Sequence, residues 1–253
     1  MYKLYKSRSS AAQARQIYGL NRKMKAIQRM TKPEIKIAPL VQYSITSSTE
    51  AGDLVNGVRI FNGFNLSNLQ AQSTGTTTQA NYAQLDGRFA RIQNITMKGI
   101  FTYNTPGVFT EENADLQRMP GFMRIVIVQT KTSRGQNVNY NDIFSTTTAG
   151  IDPGPGGNAL TPYSMIRAPL KYGAARIVKF LSDKTYMLSD TKQSVNIKTK
   201  LKYVRNWYDS TTELRPKGQV YMFVMLYQQD ADNQYSVSEL RFDFISKCVY
   251  TDA

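Results

Sequence analysis

Val195, Ile197, Thr199, Leu201 and Tyr203 fall on one parity of the chain, and Asn196, Lys198, Lys200, Lys202 and Val204 on the other. Only a β-strand, whose side chains point alternately to opposite faces, separates these two sets; a helix would scatter the lysines around its circumference. One face therefore packs while the other is basic. The same period returns near the end of the sequence, where Leu240, Phe242, Phe244 and Ser246 alternate with Arg241, Asp243, Ile245 and Lys247. Val220–Tyr227 and Phe122–Val128 are instead almost continuously apolar, the pattern of strands in the middle of packed sheets.

The remaining β signal is compositional and local. Sixteen Tyr and eleven Phe, with many Thr and Val, sit in short runs cut by Gly, Pro, Asn, Ser and Thr. These runs predict eight strands: Leu40–Thr46, Leu54–Phe61, Arg91–Tyr103, Phe122–Lys131, Ala175–Leu181, Ser194–Val204, Gln219–Tyr227 and Glu239–Tyr250. The connections Ser67–Tyr82, Pro106–Gly121 and Arg134–Met165 are long for a compact domain, and Asn141–Ser145 reads as a short helical turn. Eight strands joined by long loops predict an all-β fold, a single antiparallel jelly roll of two packed sheets, an architecture found in viral shells and lectins alike.

Ahead of the strands the character changes. Residues 1–36 carry ten cations, Lys3, Lys6, Arg8, Arg15, Arg22, Lys23, Lys25, Arg29, Lys32 and Lys36, against the one acid Glu34. The rest of the chain holds 22 bases and 17 acids, so most of the net charge of +14 belongs to this arm. Ile17, Leu20, Met24 and Ile27 recur every three or four residues, so residues 10–30 are expected to form an amphipathic helix. Its apolar side would pack on protein and its basic side meet phosphates, before Pro33 and Pro39 turn the chain to an extended course. A membrane surface could attract the same helix, but the stripe is narrow and lacks Trp or Phe. The expected organisation is an arm, 1–36, and one β domain, 37–253.

Composition removes several function classes. Histidine is absent, and with it the usual general base, the commonest zinc ligand and the imidazole-dependent triads. The single cysteine, Cys248, has no partner for an internal disulfide, and its neighbours Val249 and Tyr250 point to a buried thiol. Gly154-Pro155-Gly156-Gly157 lacks the Lys-Ser or Lys-Thr of a nucleotide-binding loop and reads as a surface turn. Glu111, Glu112 and Asp115 read as acids on a solvated loop rather than a cation site. Asn65-Leu66-Ser67 and Asn94-Ile95-Thr96 match the glycosylation pattern by chance, since no apolar segment of a secretory signal follows the first basic residues. No run is long enough to span a bilayer. No enzyme activity, metal or cofactor is expected.

Several stretches, in order, resemble the capsid proteins of circular Rep-encoding single-stranded DNA viruses, the group of circoviruses, nanoviruses and geminiviruses. Arg88-Phe89-Ala90-Arg91-Ile92 followed by Ile95-Thr96-Met97-Lys98-Gly99-Ile100 is similar to one family strand. Met123-Arg124-Ile125-Val126-Ile127-Val128 and the later Asp142-Ile143-Phe144 resemble an Arg-led apolar strand and the turn after it, although Gln129-Thr130-Lys131 departs from the Asp often found there. Ala175–Lys184, reading Ala-Arg-Ile-Val-Lys-Phe-Leu-Ser-Asp-Lys, resembles the most specific family element, a strand and turn ending in Asp-Lys. Gly218–Val224 and Arg241-Phe242 resemble the last two pieces, and the series spans residues 82–250.

The resemblance implies a jelly-roll subunit of the virion that assembles as an icosahedral homo-oligomer, in the simplest T=1 case of sixty copies. The shell would enclose a circular single-stranded DNA genome, with the arm inside. It also implies nuclear import through a basic cluster, for which Arg22, Lys23 and Lys25 are the candidates, with host import machinery and a receptor as further partners. The arm is less rich in arginine than those of many circoviruses. Within the β domain, Lys200, Lys202 and Arg205, interleaved with Tyr203, Trp207 and Tyr208, form a second candidate nucleic-acid site where bases could stack. The competing expectations are a non-viral single-strand-binding β domain and a carbohydrate-binding jelly roll.

Arm cations that replace counterions on phosphates give affinity with little sequence preference. If the whole arm engages single-stranded DNA, the logarithm of affinity falls with the logarithm of salt at a slope of about six, from roughly 0.7 per phosphate neutralised. Titration of the full chain with labelled oligonucleotide at several salt concentrations measures this slope, and a value near one would remove the arm from binding.

Overall fold

The computed structural model describes residues 10–30, 35–47, 52–67, 69, 90–104, 120–131, 138–147, 158–171, 173–189, 191–202, 218–228 and 239–252. The chain forms two compact units, Met1–Glu34 and Ile35–Ala253. In the first, α1 runs from Ser10 to Met30, as the three-to-four-residue periodicity predicts. Its Ile17, Leu20 and Met24 lie on one side of that helix. Among the described residues no helix is long and apolar enough to cross a membrane.

The second unit is the β domain. Its strands are β1 (Ile35–Ile37), β2 (Val41–Thr46), β3 (Asp53–Val55), β4 (Val58–Asn65), β5 (Ala90–Asn104), β6 (Gly121–Thr130), β7 (Val178–Leu188), β8 (Ser194–Lys202), β9 (Val220–Gln228) and β10 (Glu239–Asp252). Three one-turn helices accompany them: α2 (Tyr140–Ile143), α3 (Pro162–Met165) and α4 (Ala174–Ile177). The first sheet has the order β1-β10-β5-β8, with β2 also on β10, and the second β3-β4-β9-β6-β7. All pairings are antiparallel, and they nest: β2 with β10, β4 with β9, β5 with β8, β6 with β7. A long hairpin rolled into two sheets of four has this pairing, which is the jelly roll.

Among the described residues ten strands replace the eight expected, for local reasons. The predicted strand Leu54–Phe61 is a hairpin, because Asn56 (φ 50°) and Gly57 (φ 76°) adopt the left-handed conformations of the two-residue turn between β3 and β4. β1 and β2 occupy successive stretches of the same β10 edge. Pro39, which has no N–H to give a ladder, lies in the break between them. Ala175–Ile177, read as strand, closes the helical turn α4, and the strand begins at Val178 and continues to Leu188. The predicted turn at 141–145 is α2, shifted by one residue, with the Asp142 carboxylate accepting from the Asn139 N–H at 3.1 Å.

Why two strands are apolar on both parities is answered by a second core. Between the sheets, Ile125 and Ile127 of β6 and Met222, Val224 and Leu226 of β9 meet Met97, Phe101, Phe242 and Phe244 of the first sheet. The opposite parity, Val126 and Val128 with Tyr221, Phe223 and Met225, packs under Ile143, Phe144, Met165 and Ile166, so α2 and α3 roof the outer face of the second sheet. Cys248 is buried in the first core, and burial pushes its thiol up to about 12, which keeps it protonated and unreactive near neutral pH.

Arg124 ties the roof to the sheet. Its Nε and Nη2 donate to the two carboxylate oxygens of Asp183 at 2.9 and 2.7 Å. Its Nη1 donates to the Ala168 carbonyl at 2.8 Å, and its guanidinium lies over the Phe144 ring, 5.3 Å from the centroid. The Arg124 side chain is 8% exposed, so the fork geometry compensates a nearly complete loss of water. Removing only the anion is the costly change. Asp183→Ala is expected to destabilise the domain by about 3 kcal/mol, and adding Arg124→Met to recover most of that loss, because a buried cation without its partner is worse than no pair. Urea midpoints of the two single variants and the double variant measure the coupling.

Candidate nucleic-acid interface

The outer face of the first sheet carries the charge that the alternation in residues 194–204 predicts. On β8, Val195, Ile197, Thr199 and Leu201 turn inward, while Asn196, Lys198, Lys200 and Lys202 are exposed. Register then decides which residues of β5 and β10 join them. Lys98 of β5 is directly opposite Lys198. Thr96 lies between Lys200 on one side and Lys247 of β10 on the other, and Asn94 is opposite Lys202. Five lysines thus share a face on three adjacent strands, with those of β8 about 6.8 Å apart along the strand.

Little on this face offsets that charge. Among the described side chains of the first sheet the acid is Asp243, whose Oδ2 accepts from Arg241 Nε at 2.8 Å. The Lys98–Lys198 pair places like charges directly across a ladder, which costs stability and is relieved when an anion lies between them. Lysine on an edge strand such as β8 also discourages sheet-to-sheet aggregation, which accounts for Lys198, Lys200 and Lys202 but not for Lys98 on the interior strand.

Next to the lysines is a shallow depression lined by Gln42, Ser44, Lys98, Ile100, Asn196, Asp243 and Ile245, among others. Ile100 and Ile245 are partly exposed there, 38% and 39%, so apolar surface lies within reach of cations and of hydrogen-bonding groups. A phosphate with an attached base meets both kinds of surface at such a place. Among the described residues no cluster of His, Cys, Asp or Glu could hold a metal ion.

The predicted site residues divide as follows. Lys200 and Lys202 stand on the lysine face. Lys36, in β1, is in register with buried Tyr250, is half-buried and engaged, and is on the inward parity of the first sheet. Arg15, Arg22 and Lys23 are exposed on α1, where Lys25 and Arg29 also hold positions. Lys3, Lys6, Arg8, Lys32, Arg205 and Trp207 lie outside the described residues, as do Tyr203, Tyr208, Glu111, Glu112, Asp115 and Gly154–Gly157. Sequence reasoning missed Lys98 and Lys247. Each was legible as the polar parity of its own strand, but their meeting depends on strand neighbours.

No family model matches the chain, and no curated protein matches it. Among solved structures it is similar to the decameric BFDV capsid protein, at 13% identity over 88% of this chain and 100% of that one, with a TM-score of 0.37. It is also similar to a structure of Desmodium yellow mottle tymovirus, at 8% identity over 86% and 87% of the two chains and a TM-score of 0.33. A third is the native virion of Kashmir bee virus at neutral pH, at 9% identity over 87% and 72%, with a TM-score of 0.36. At these values the likeness says nothing of what the chain does, and the fold assignment rests on the nested pairing itself.

Opposite signs for stability and binding distinguish this face from an ordinary solvated one. Lys198→Ala removes the like-charge pair, so its thermal midpoint is expected to rise slightly, while its affinity for single-stranded DNA falls and the salt slope drops by about 0.7. Calorimetry and oligonucleotide titration of the same preparation check both.

Proposed function

We propose that this protein is the coat subunit of a circular single-stranded DNA virus, and that it has a structural rather than an enzymatic role. Copies assemble into a closed icosahedral shell, sixty in the simplest case, around the genome. The carrying observation is the joint presence of a nested jelly roll and a sheet face that concentrates five lysines on three strands. A jelly roll alone serves many functions, but a polyanion-seeking face and a cationic arm on the same chain favour a nucleic-acid container over a lectin.

The sequence resemblance supports the same reading, and the pairing of Arg124 with Asp183 adds to it. Those residues belong to two of the separate stretches that resemble the capsid family, and they meet in one bidentate ion pair at 2.7 and 2.9 Å. The arm cations and Lys98, Lys198, Lys200, Lys202 and Lys247 neutralise genome phosphates, giving affinity without sequence choice. Arg22, Lys23 and Lys25 serve as the import signal that takes the subunit to the nucleus, where the DNA is packaged into the virion.

Expression of the full chain alone tests the proposal. Uniform closed particles in electron micrographs, containing nucleic acid that survives nuclease, are the expected result. Monodisperse monomers at high protein concentration and low salt would overturn it. Monomers that nonetheless bind oligonucleotide would assign the chain to single-strand-binding modules without assembly.

A further inference from the structure

Pairing register lays the outer face of the first sheet out as a lattice, and two adjacent rows of it combine charge with apolar surface. In one row Gln42 of β2, Ile245 of β10, Lys98 of β5 and Lys198 of β8 are successive partners. Two residues along each strand, the next row is Ser44, Asp243, Ile100 and Asn196. All of these but Lys198 line the depression beside the lysines, whose volume of about 570 Å³ falls within the roughly 300–1,000 Å³ of small-ligand sites.

The centre of the two rows is a square formed by Ile245, Lys98, Asp243 and Ile100. Its isoleucines stand on one diagonal and its opposite charges on the other, each pair about 7–8 Å apart. A single exposed isoleucine is ordinary, but Ile245 and Ile100, 39% and 38% exposed, together make an apolar platform bordered by Lys98 and Asp243. Asp243 pairs with Arg241 rather than with Lys98: its Oδ2 accepts from Arg241 Nε at 2.8 Å, and Oδ1 keeps its capacity to accept. Gln42, Ser44 and Asn196 around the square are exposed and can each donate or accept a hydrogen bond.

We infer that this square seats one nucleotide of a single strand, with its phosphate at Lys98 and Lys198, its base on Ile100 and Ile245, and the amino group of the base donating to Asp243 Oδ1. The inference rests on the reading of the lysine face as a single-strand site, and adds a choice of base to it. Cytosine fits this seat and thymine does not. The two rings are of equal size, but cytosine has its N4 amino group where thymine has the O4 carbonyl, and a carbonyl oxygen is repelled by the carboxylate. A base stacked inside a duplex cannot lay its face on the isoleucines. Lysine contacts to phosphate carry no such preference, so any discrimination reports the base end of the seat.

Titration of the full chain with oligodeoxycytidylate and oligodeoxythymidylate of equal length tests the seat, in the unaltered protein and in two variants. The unaltered chain is expected to bind the cytosine strand about five-fold more tightly, the effect of one hydrogen bond to a charged acceptor. Asp243→Asn preserves the size of the side chain and an oxygen for Arg241, but adds an N–H that can meet thymine O4. This variant is expected to bring the two affinities within about two-fold of each other. Lys198→Ala is expected to weaken both strands alike and leave their ratio unchanged. Equal affinities in the unaltered chain, or a preference that survives Asp243→Asn, would overturn the base seat while a loss of affinity in Lys198→Ala leaves the lysine face standing. Absence of any effect of Lys198→Ala would instead overturn the lysine-face reading on which the seat depends.

Discussion

The structure depends on β6 and β9 being apolar on both faces. A strand pair of that kind must be covered twice, once by the opposing sheet and once by something else, because each exposed side chain left over would forgo roughly 1.5–3 kcal/mol of burial. In this chain the second cover is its own α2 and α3, which place Ile143, Phe144, Met165 and Ile166 on Val126, Val128 and Phe223. The two outer faces of the sandwich therefore have different fates. The second sheet is roofed, and the first presents lysines.

Arg124 shows how the roof is held without a large interface of its own. A β6 residue on the outward parity would ordinarily be apolar like Val126 and Val128. A cation there instead reaches the Asp183 carboxylate and the Ala168 carbonyl, linking β7, β6 and the segment that carries α3. The buried guanidinium specifies one arrangement of these segments, since four of its N–H donors find acceptors only when the Asp183 carboxylate and the Ile166 and Ala168 carbonyls converge. The same economy is seen at Asn62, whose side-chain oxygen accepts from the Tyr140 N–H at 3.1 Å and fixes α2 over β4.

On the other side of the molecule charge is concentrated rather than compensated. Lys98 and Lys198 are directly opposed, and Asp243, already engaged by Arg241, is the described acid of that sheet. The arm repeats the arrangement in a helix, with arginines on one side and an apolar stripe on another. In the β domain the fold thus separates a face that attracts anions from the faces that pack.

Much of this was legible in the residues. Period-two alternation assigned the inward and outward parities of β8 and β10 correctly, and continuous apolar runs marked β6 and β9 as central, because side-chain direction in a strand is a local property of the backbone. The Asn56-Gly57 turn was equally local, and was overlooked inside an apolar run. What the sequence by itself determined was the all-β class, the cationic arm with its helix, and a basic parity on one strand. Only the tertiary structure decided that Lys98 and Lys247 join that parity, that Arg124 meets Asp183 across 59 residues of chain, and that α2 and α3 roof the second sheet. Register between strands distant in sequence is set by the simultaneous packing of both sheets, and no single stretch of chain contains that information.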